Sequence, residues 1–222
     1  SLEELILNQG KFTPERTVDL AHEVLNGLGA IHQAGLLHRD IKPGNILIPS
    51  EGPVKLADFG LVREISEKAE GRSKIFVGTP EYAAPELAVG CPPDAGSDLY
   101  ALGATLYKAL TGKPPFTGGN ATEILRSQLY EPLVPPSFYN KEIPPGLESV
   151  LLKLLHKERG QRPATCEETV RLLGQLKQIK SKPVPKSRPR APVALRNRDA
   201  PLKLVAITCI LGMAVWLWFL MD

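Results

Sequence analysis

Three short strings hold the residues whose types and spacing point to chemistry. Residues 38 to 45 read H-R-D-I-K-P-G-N, residues 58 to 60 read D-F-G, and residues 84 to 86 read A-P-E. Asp40, Lys42, Asn45 and Asp58 thus gather two carboxylates, an ammonium and a carboxamide in one short stretch. Carboxylate and amide oxygens suit a hard cation that also keeps water and phosphate ligands. Taken singly, each acid has an ordinary explanation: Asp40 as a turn residue capping backbone, Asp58 as a strand-end Asp before a glycine turn. The combination, in this order, argues against both. His22, His32 and His156 fall on helical patterns without metal-ligand partners and read as surface or core residues. Cys91, Cys166 and Cys209 are odd in number and far apart, which suggests neither a disulfide framework nor a zinc site.

The elements that must position these strings are mostly helical. From Thr13 a helix is expected, with Thr13 as cap, Pro14 at the first position, Glu15 in the first turn and Gly35 as the stop. Its core face is Val18, Ala21, Val24, Leu25, Leu28 and Ile31. Ile46–Ile48 and Val54–Ala57 form a small β-hairpin around Pro49–Pro53. Arg63–Lys74 has no clean period and reads as a polar loop. Helices return at Asp98–Leu110, Ala121–Leu129, Leu147–Lys157 and Cys166–Ile179, the last with Thr165 and Glu168 in capping-box spacing.

The three strings together closely resemble the catalytic loop, metal-binding loop and activation-segment end of eukaryotic-like, bacterial-type serine/threonine protein kinases. The hairpin between the first two strengthens the resemblance, which covers residues 1 to 176, with Ser1–Leu7 similar to the helix just after the hinge. It implies a mainly α fold: a protein-kinase-like large lobe with a short β-hairpin. The cofactors it implies are ATP and Mg2+, and the activity is γ-phosphoryl transfer to serine or threonine hydroxyls of protein substrates. By resemblance, Asp40 accepts or orients the hydroxyl proton and Lys42 neutralises charge on the phosphoryl group. Asn45 and Asp58 hold magnesium, and Leu47 packs beneath the adenine, so that Lys42, Asn45, Leu47 and Asp58 form the ATP site. Lys42 and Thr79 point to a hydroxyl acceptor on serine or threonine. Arg39 meets a phosphate on the activation segment, for which Ser73, flanked by Arg72 and Lys74, is the first candidate, with Ser66 behind it and an ordinary solvated loop serine as the bland reading. Glu86 pairs with Arg162, Asp98 anchors the catalytic-loop backbone, and His38 and Phe59 pack in the column that aligns the active state.

A glycine-rich nucleotide loop, a strand lysine in a V-A-I-K context and its partner glutamate are not found upstream of Asp40. The sequence opens on Ser1 without an initiator Met or a signal peptide, and a fragment whose small lobe lies upstream is the expectation. The rival reading is a catalytically silent scaffold or interaction module built on the same lobe. Dimerisation stays open.

Composition sets further bounds. With 43% hydrophobic and 23% charged residues, the 222-residue chain is of the globular type. Nine of its 27 basic residues lie in 177–203, which leaves the first 176 mildly acidic and gives no reason to expect nucleic-acid binding. Residues 177–203, rich in Pro, Lys and Arg, read as an extended juxtamembrane linker. Leu204–Met221 is uncharged over 18 residues, about 27 Å as a helix, enough to cross a hydrocarbon core. A single-pass membrane helix is therefore expected at 204–221, with Trp216, Trp218 and Phe219 near its far end. The basic flank before it puts the lobe in the cytoplasm.

Overall fold

The computed structural model describes residues 1–58, 63–64 and 78–181. The chain divides into two units, Ser1–Pro183 and Val184–Asp222. The second unit, with the apolar run 204–221, lies outside the described residues, as do Phe59, Ser66 and Ser73. Among the described residues no helix is long and apolar enough to cross a membrane.

The first helix, α1 (Leu2–Gln9), begins with a capping box in which Ser1 Oγ accepts from Glu4 N and the Glu4 side chain reaches back to the Ser1 amine. After it, α2 (Pro14–Gln33) starts as its sequence dictates: Thr13 Oγ1 accepts from Arg16 N at 3.2 Å and Pro14 occupies the first turn. It ends just before Gly35, whose φ of 74° is one that glycine adopts without strain. Val18, Ala21, Val24, Leu25 and Leu28 are buried as the periodicity requires, while Ile31, near the end of the helix, is only half-buried.

Two minimal antiparallel sheets follow. The expected hairpin is present but shorter, with β2 (Ile46–Leu47) paired to β3 (Lys55–Leu56) in the register Ile46↔Leu56. Glu23 on α2 clamps its turn by accepting from Val54 N at 2.8 Å. The second sheet was not expected: β1 (Leu36–Leu37) pairs with β4 (Arg63–Glu64), so the start of the predicted polar loop is a strand. Two-residue strands have no periodicity to read, and only tertiary pairing defines them.

The rest is helical: α3 (Pro85–Ala88), α4 (Ala95–Thr111), α5 (Ala121–Tyr130), α6 (Pro145–Leu154) and α7 (Cys166–Ser181). Short 3₁₀ turns sit at Pro43–Asn45, Pro80–Tyr82, Pro136–Phe138 and Arg159–Gln161. Several boundaries differ from the sequence reading. Asp98 is not the start of α4; Asp94 caps it in a reciprocal box with Ser97, which places Asp98 in the first turn. Helix α6 stops at Leu154, so His156 and Lys157 lie beyond it. At α7, Thr165 Oγ1 accepts from Glu168 N as expected, but Glu168 Oε2 takes its bond from Ala164 N, one residue before the cap.

Helix α4 is the axis of the lobe. It is buried along nearly its whole length, the behaviour of a helix apolar on every face. A Cβ at Gly103 would stand 2.8 Å from Leu154 Cβ, so a missing side chain sets how closely α4 and α6 approach. Around it, α2, α6 and α7 complete one core containing Leu25, Leu28, Leu99, Leu102, Leu151 and Leu173. A smaller cluster of Tyr82, Ala84, Tyr100, Tyr107 and Leu155 lies beneath the A-P-E turn.

Candidate active site

The loop from His38 to Asn45 bridges β1 and β2, and its backbone is fixed from below by Asp98. Asp98 Oδ2 accepts from His38 N at 2.9 Å and Oδ1 from Arg39 N at 2.8 Å. His38 is fully buried, with Nδ1 accepting from Asp40 N at 3.4 Å. Arg39 takes a φ of 67°, a left-handed conformation that is uncommon for a residue with a side chain. That turn delivers Asp40, 8% exposed, to the mouth of the site.

Three side chains converge on the Asp40 carboxylate. Lys42 Nζ lies 2.7 Å from Oδ2. Asn45 Nδ2 donates to Oδ2 at 2.8 Å and to the Asp40 carbonyl at 2.9 Å. Thr79, arriving from the far side of the segment 59–77, donates from Oγ1 to Asp40 Oδ1 at 3.5 Å and accepts from Lys42 Nζ at 3.1 Å. A carboxylate held this way by an ammonium, an amide and a hydroxyl is oriented by bonds to both of its oxygens.

Asp58 is brought alongside by the hairpin, because Ala57 N donates to the Asn45 carbonyl at 2.8 Å. It is exposed and has a φ of 64°. With both amide donations of Asn45 directed at Asp40, its Oδ1 is left to face elsewhere as an acceptor. Asn45 and Asp58 thus supply hard oxygen donors that fit a magnesium ion. Among the described residues no group of three or more His, Cys, Asp or Glu could hold a metal. A cation on Asn45 and Asp58 would take its other ligands from water and phosphate, as magnesium does. Leu47, one strand position past Ile46, is 41% exposed and presents an apolar side chain on the same hairpin.

Glu86 and Arg162 meet as expected, in a buried, two-pronged pair with contacts of 2.7 and 2.8 Å. Burial works to raise the Glu86 carboxyl, but the bonds and charge of Arg162, with a bond from Ser97, hold it below the ordinary carboxylate range.

Two side chains of this network escaped the sequence reading. His32, placed among uncommitted histidines, has Nε2 2.9 Å from Asp98 Oδ2. Gln128 on α5 is fully buried and donates to the carbonyls of Pro80 and Glu81 at 3.2 and 3.0 Å, while its Oε1 accepts from Tyr100 Oη. It thereby fixes the backbone just after Thr79. A lone Gln or His on an amphipathic helix carries no signal beyond its helical position.

The chain matches the protein kinase domain family over residues 1–172. It belongs to that family. Curated relatives include a serine/threonine-protein kinase PknB of Mycobacterium tuberculosis, 36% identical over 170 residues, covering 76% of this chain and 27% of that protein. A probable serine/threonine-protein kinase PknB of Corynebacterium glutamicum is 35% identical over 182 residues, 79% of this chain and 28% of its own. Another, from Bifidobacterium longum, is 39% identical over 170 residues, 76% of this chain and 25% of its own. The kinase-domain chain therefore spans about a quarter of the length of the curated relatives it matches.

Proposed function

We propose that the chain is the catalytic lobe of a membrane-anchored serine/threonine protein kinase that transfers the γ-phosphoryl group of ATP to serine or threonine hydroxyls of protein substrates. The observation that carries the reading is the convergence of Lys42, Asn45 and Thr79 on the Asp40 carboxylate. Phosphoryl transfer proceeds through a charged, loose transition state, so positioning and electrostatic stabilisation do most of the catalytic work. Asp40 orients the acceptor hydroxyl and takes its proton. Lys42, already within bonding distance of Asp40, sits where charge on the transferred group builds up. Thr79 closes the pocket beside both, at a place suited to a small aliphatic hydroxyl. Asn45 and Asp58 would hold magnesium, which when bound neutralises charge on the triphosphate. Leu47 offers the adenine an apolar floor, and Arg39 a guanidinium for a phosphorylated Ser73.

Radiolabelled ATP and a generic basic protein substrate test this reading in the full natural gene product, compared with the 222 residues alone. Label recovered on phosphoserine or phosphothreonine supports it; absence of transfer by the full product, with substrate protein still bound, would favour the scaffold. The 222 residues alone are expected to transfer little, because they carry no glycine-rich cover for the phosphates and a small misplacement costs about a hundredfold.

The anchor belongs to the same proposal: a lobe whose last helix, α7, runs to Ser181 and so takes in the first residues expected as linker, a basic linker from there to residue 203, and a single membrane helix at 204–221. Nine basic residues in 177–203, immediately before the apolar run, favour a cytoplasmic lobe. On sealed vesicles, protease added to the extracytoplasmic side should leave the lobe intact; digestion from that side would overturn the topology.

A further inference from the structure

The anchor beneath the catalytic loop extends one step further than Asp98. His32 closes α2 and Cys166 opens α7, and the two helix ends meet so that Cys166 Sγ lies 3.6 Å from His32 Nδ1. A second bond ties the same ends, Gln33 Nε2 to Glu167 Oε1 at 3.1 Å. Gly29 faces the same junction: a Cβ there would lie 3.5 Å from Cys166 Cβ, an ordinary van der Waals contact.

Hydrogen-bond directions along this line can be assigned. Ionised Asp98 is acceptor-only and already receives the His38 and Arg39 amides, so His32 Nε2 must carry the hydrogen it shares with Oδ2. In the neutral ring Nδ1 is then the acceptor, and the group facing it is a thiol. Cys166 is 3% exposed; burial, with Glu167 and Asp98 nearby, pushes its thiol up to about 12. It therefore keeps its proton and can serve as a donor, not as a nucleophile. Asp98 and Glu167 are charged groups beside the ring.

We propose that Cys166 and His32 are positioning residues for the proton chemistry at Asp40. The thiol donates to His32 Nδ1 and fixes the Nε2–H tautomer; the imidazole then orients Asp98, which holds the backbone of the two residues preceding Asp40. The functional half of this proposal rests on the kinase reading. Its structural half does not. The competing explanation, a cysteine that only fills space between α2 and α7, makes a different prediction, because serine and alanine are close in size but only serine can donate.

The test has two arms. In the full chain in detergent, nitrogen NMR of His32 near pH 7.5 should show the Nε2–H tautomer, retained in Cys166→Ser and shifted in Cys166→Ala. In the full natural gene product, Cys166→Ala should lower kcat about two- to tenfold, the scale of one buried hydrogen bond, with KM for ATP unchanged and Cys166→Ser near wild type. His32→Ala should lose about ten- to a hundredfold, and His32→Gln, which keeps a donor toward Asp98, should recover most of that. Equal kcat for the serine and alanine variants would overturn the role of Cys166, as would an Nδ1–H ring in the wild-type protein. A tautomer that shifts as expected in a protein with no transferase activity would instead count against the kinase reading and leave the relay standing.

Discussion

Asp40→Asn is expected to lower phosphate transfer by about 10²- to 10⁴-fold, the range general-base catalysis contributes, without unfolding the loop. Asn can place its carbonyl oxygen where Oδ2 now receives Lys42 Nζ and Asn45 Nδ2. Its amide nitrogen then faces Thr79, at the position of Oδ1. The contacts survive in outline, but the group can no longer take a proton and its negative charge is gone. Nucleotide binding should be nearly unchanged, since the role proposed for Asp40 is on the acceptor hydroxyl. The Asp58→Asn variant should differ, with weaker magnesium-dependent nucleotide binding as well as slower transfer. Single-turnover rates and nucleotide affinity, measured in the full natural gene product, separate the two. An Asp40→Asn enzyme that transfers phosphate at close to the normal rate would remove Asp40 from its assigned role.

Breaking the Glu86–Arg162 pair should have the largest effect on stability. All five guanidinium hydrogens of Arg162 are used: Nε to the His156 carbonyl, Nη1 to Glu86 and the Gly96 carbonyl, Nη2 to Glu86 and the Lys157 carbonyl. The guanidinium also lies over the Tyr100 ring at 4.8 Å. Arg162→Met leaves the Glu86 carboxylate without this partner and removes a donor from three carbonyls, which should cost about 3–5 kcal/mol. The double variant Glu86→Leu, Arg162→Met should recover much of the loss, because a buried pair replaced as a unit is often nearly neutral. The sign of the pH dependence follows from Glu86. Its folded pKa is depressed, so its contribution is complete above the unfolded carboxylate value of about 4.3 and is lost as pH falls through the folded value. Thermal melts of wild type and Arg162→Met should therefore converge on acidification below about pH 4. A gap in melting temperature that stays constant down to acid unfolding would show that Glu86 adds little.

How much of this was legible in the sequence varied with the kind of signal each residue carries. Thr13, Pro14 and Gly35 mark the ends of α2 because capping, fixed φ and left-handed backbone are local requirements, each with few residue types able to meet it. Asp40, Lys42, Asn45, Thr79, Glu86, Asp98 and Arg162 were singled out from the resemblance alone, and they do meet in space as two clusters, one around Asp40 and one around Glu86, with Asp98 beneath the first. The start of α4 was misplaced by three residues because Asp98 is itself a plausible cap; the true cap, Asp94, follows two prolines that hid it. The β1–β4 pairing could not be read, since two residues per strand fix neither period nor register. His32 and Gln128 were passed over for a related reason. Their importance lies in partners 66 and 48 residues away, and nothing in the flanking sequence records that separation.

The left-handed backbone at Arg39 and Asp58 bears on how this lobe would respond to laboratory selection. Non-glycine residues in that region cost of order 1–3 kcal/mol each, and here two of them flank the reacting groups. Glycine at either place would relieve the strain while deleting the guanidinium or the carboxylate. Where that relief exceeds what the contacts of the Arg39 and Asp58 side chains contribute, a library sorted only for heat resistance should enrich Arg39→Gly and Asp58→Gly as activity falls. Stability and turnover trade against each other at these two backbone positions.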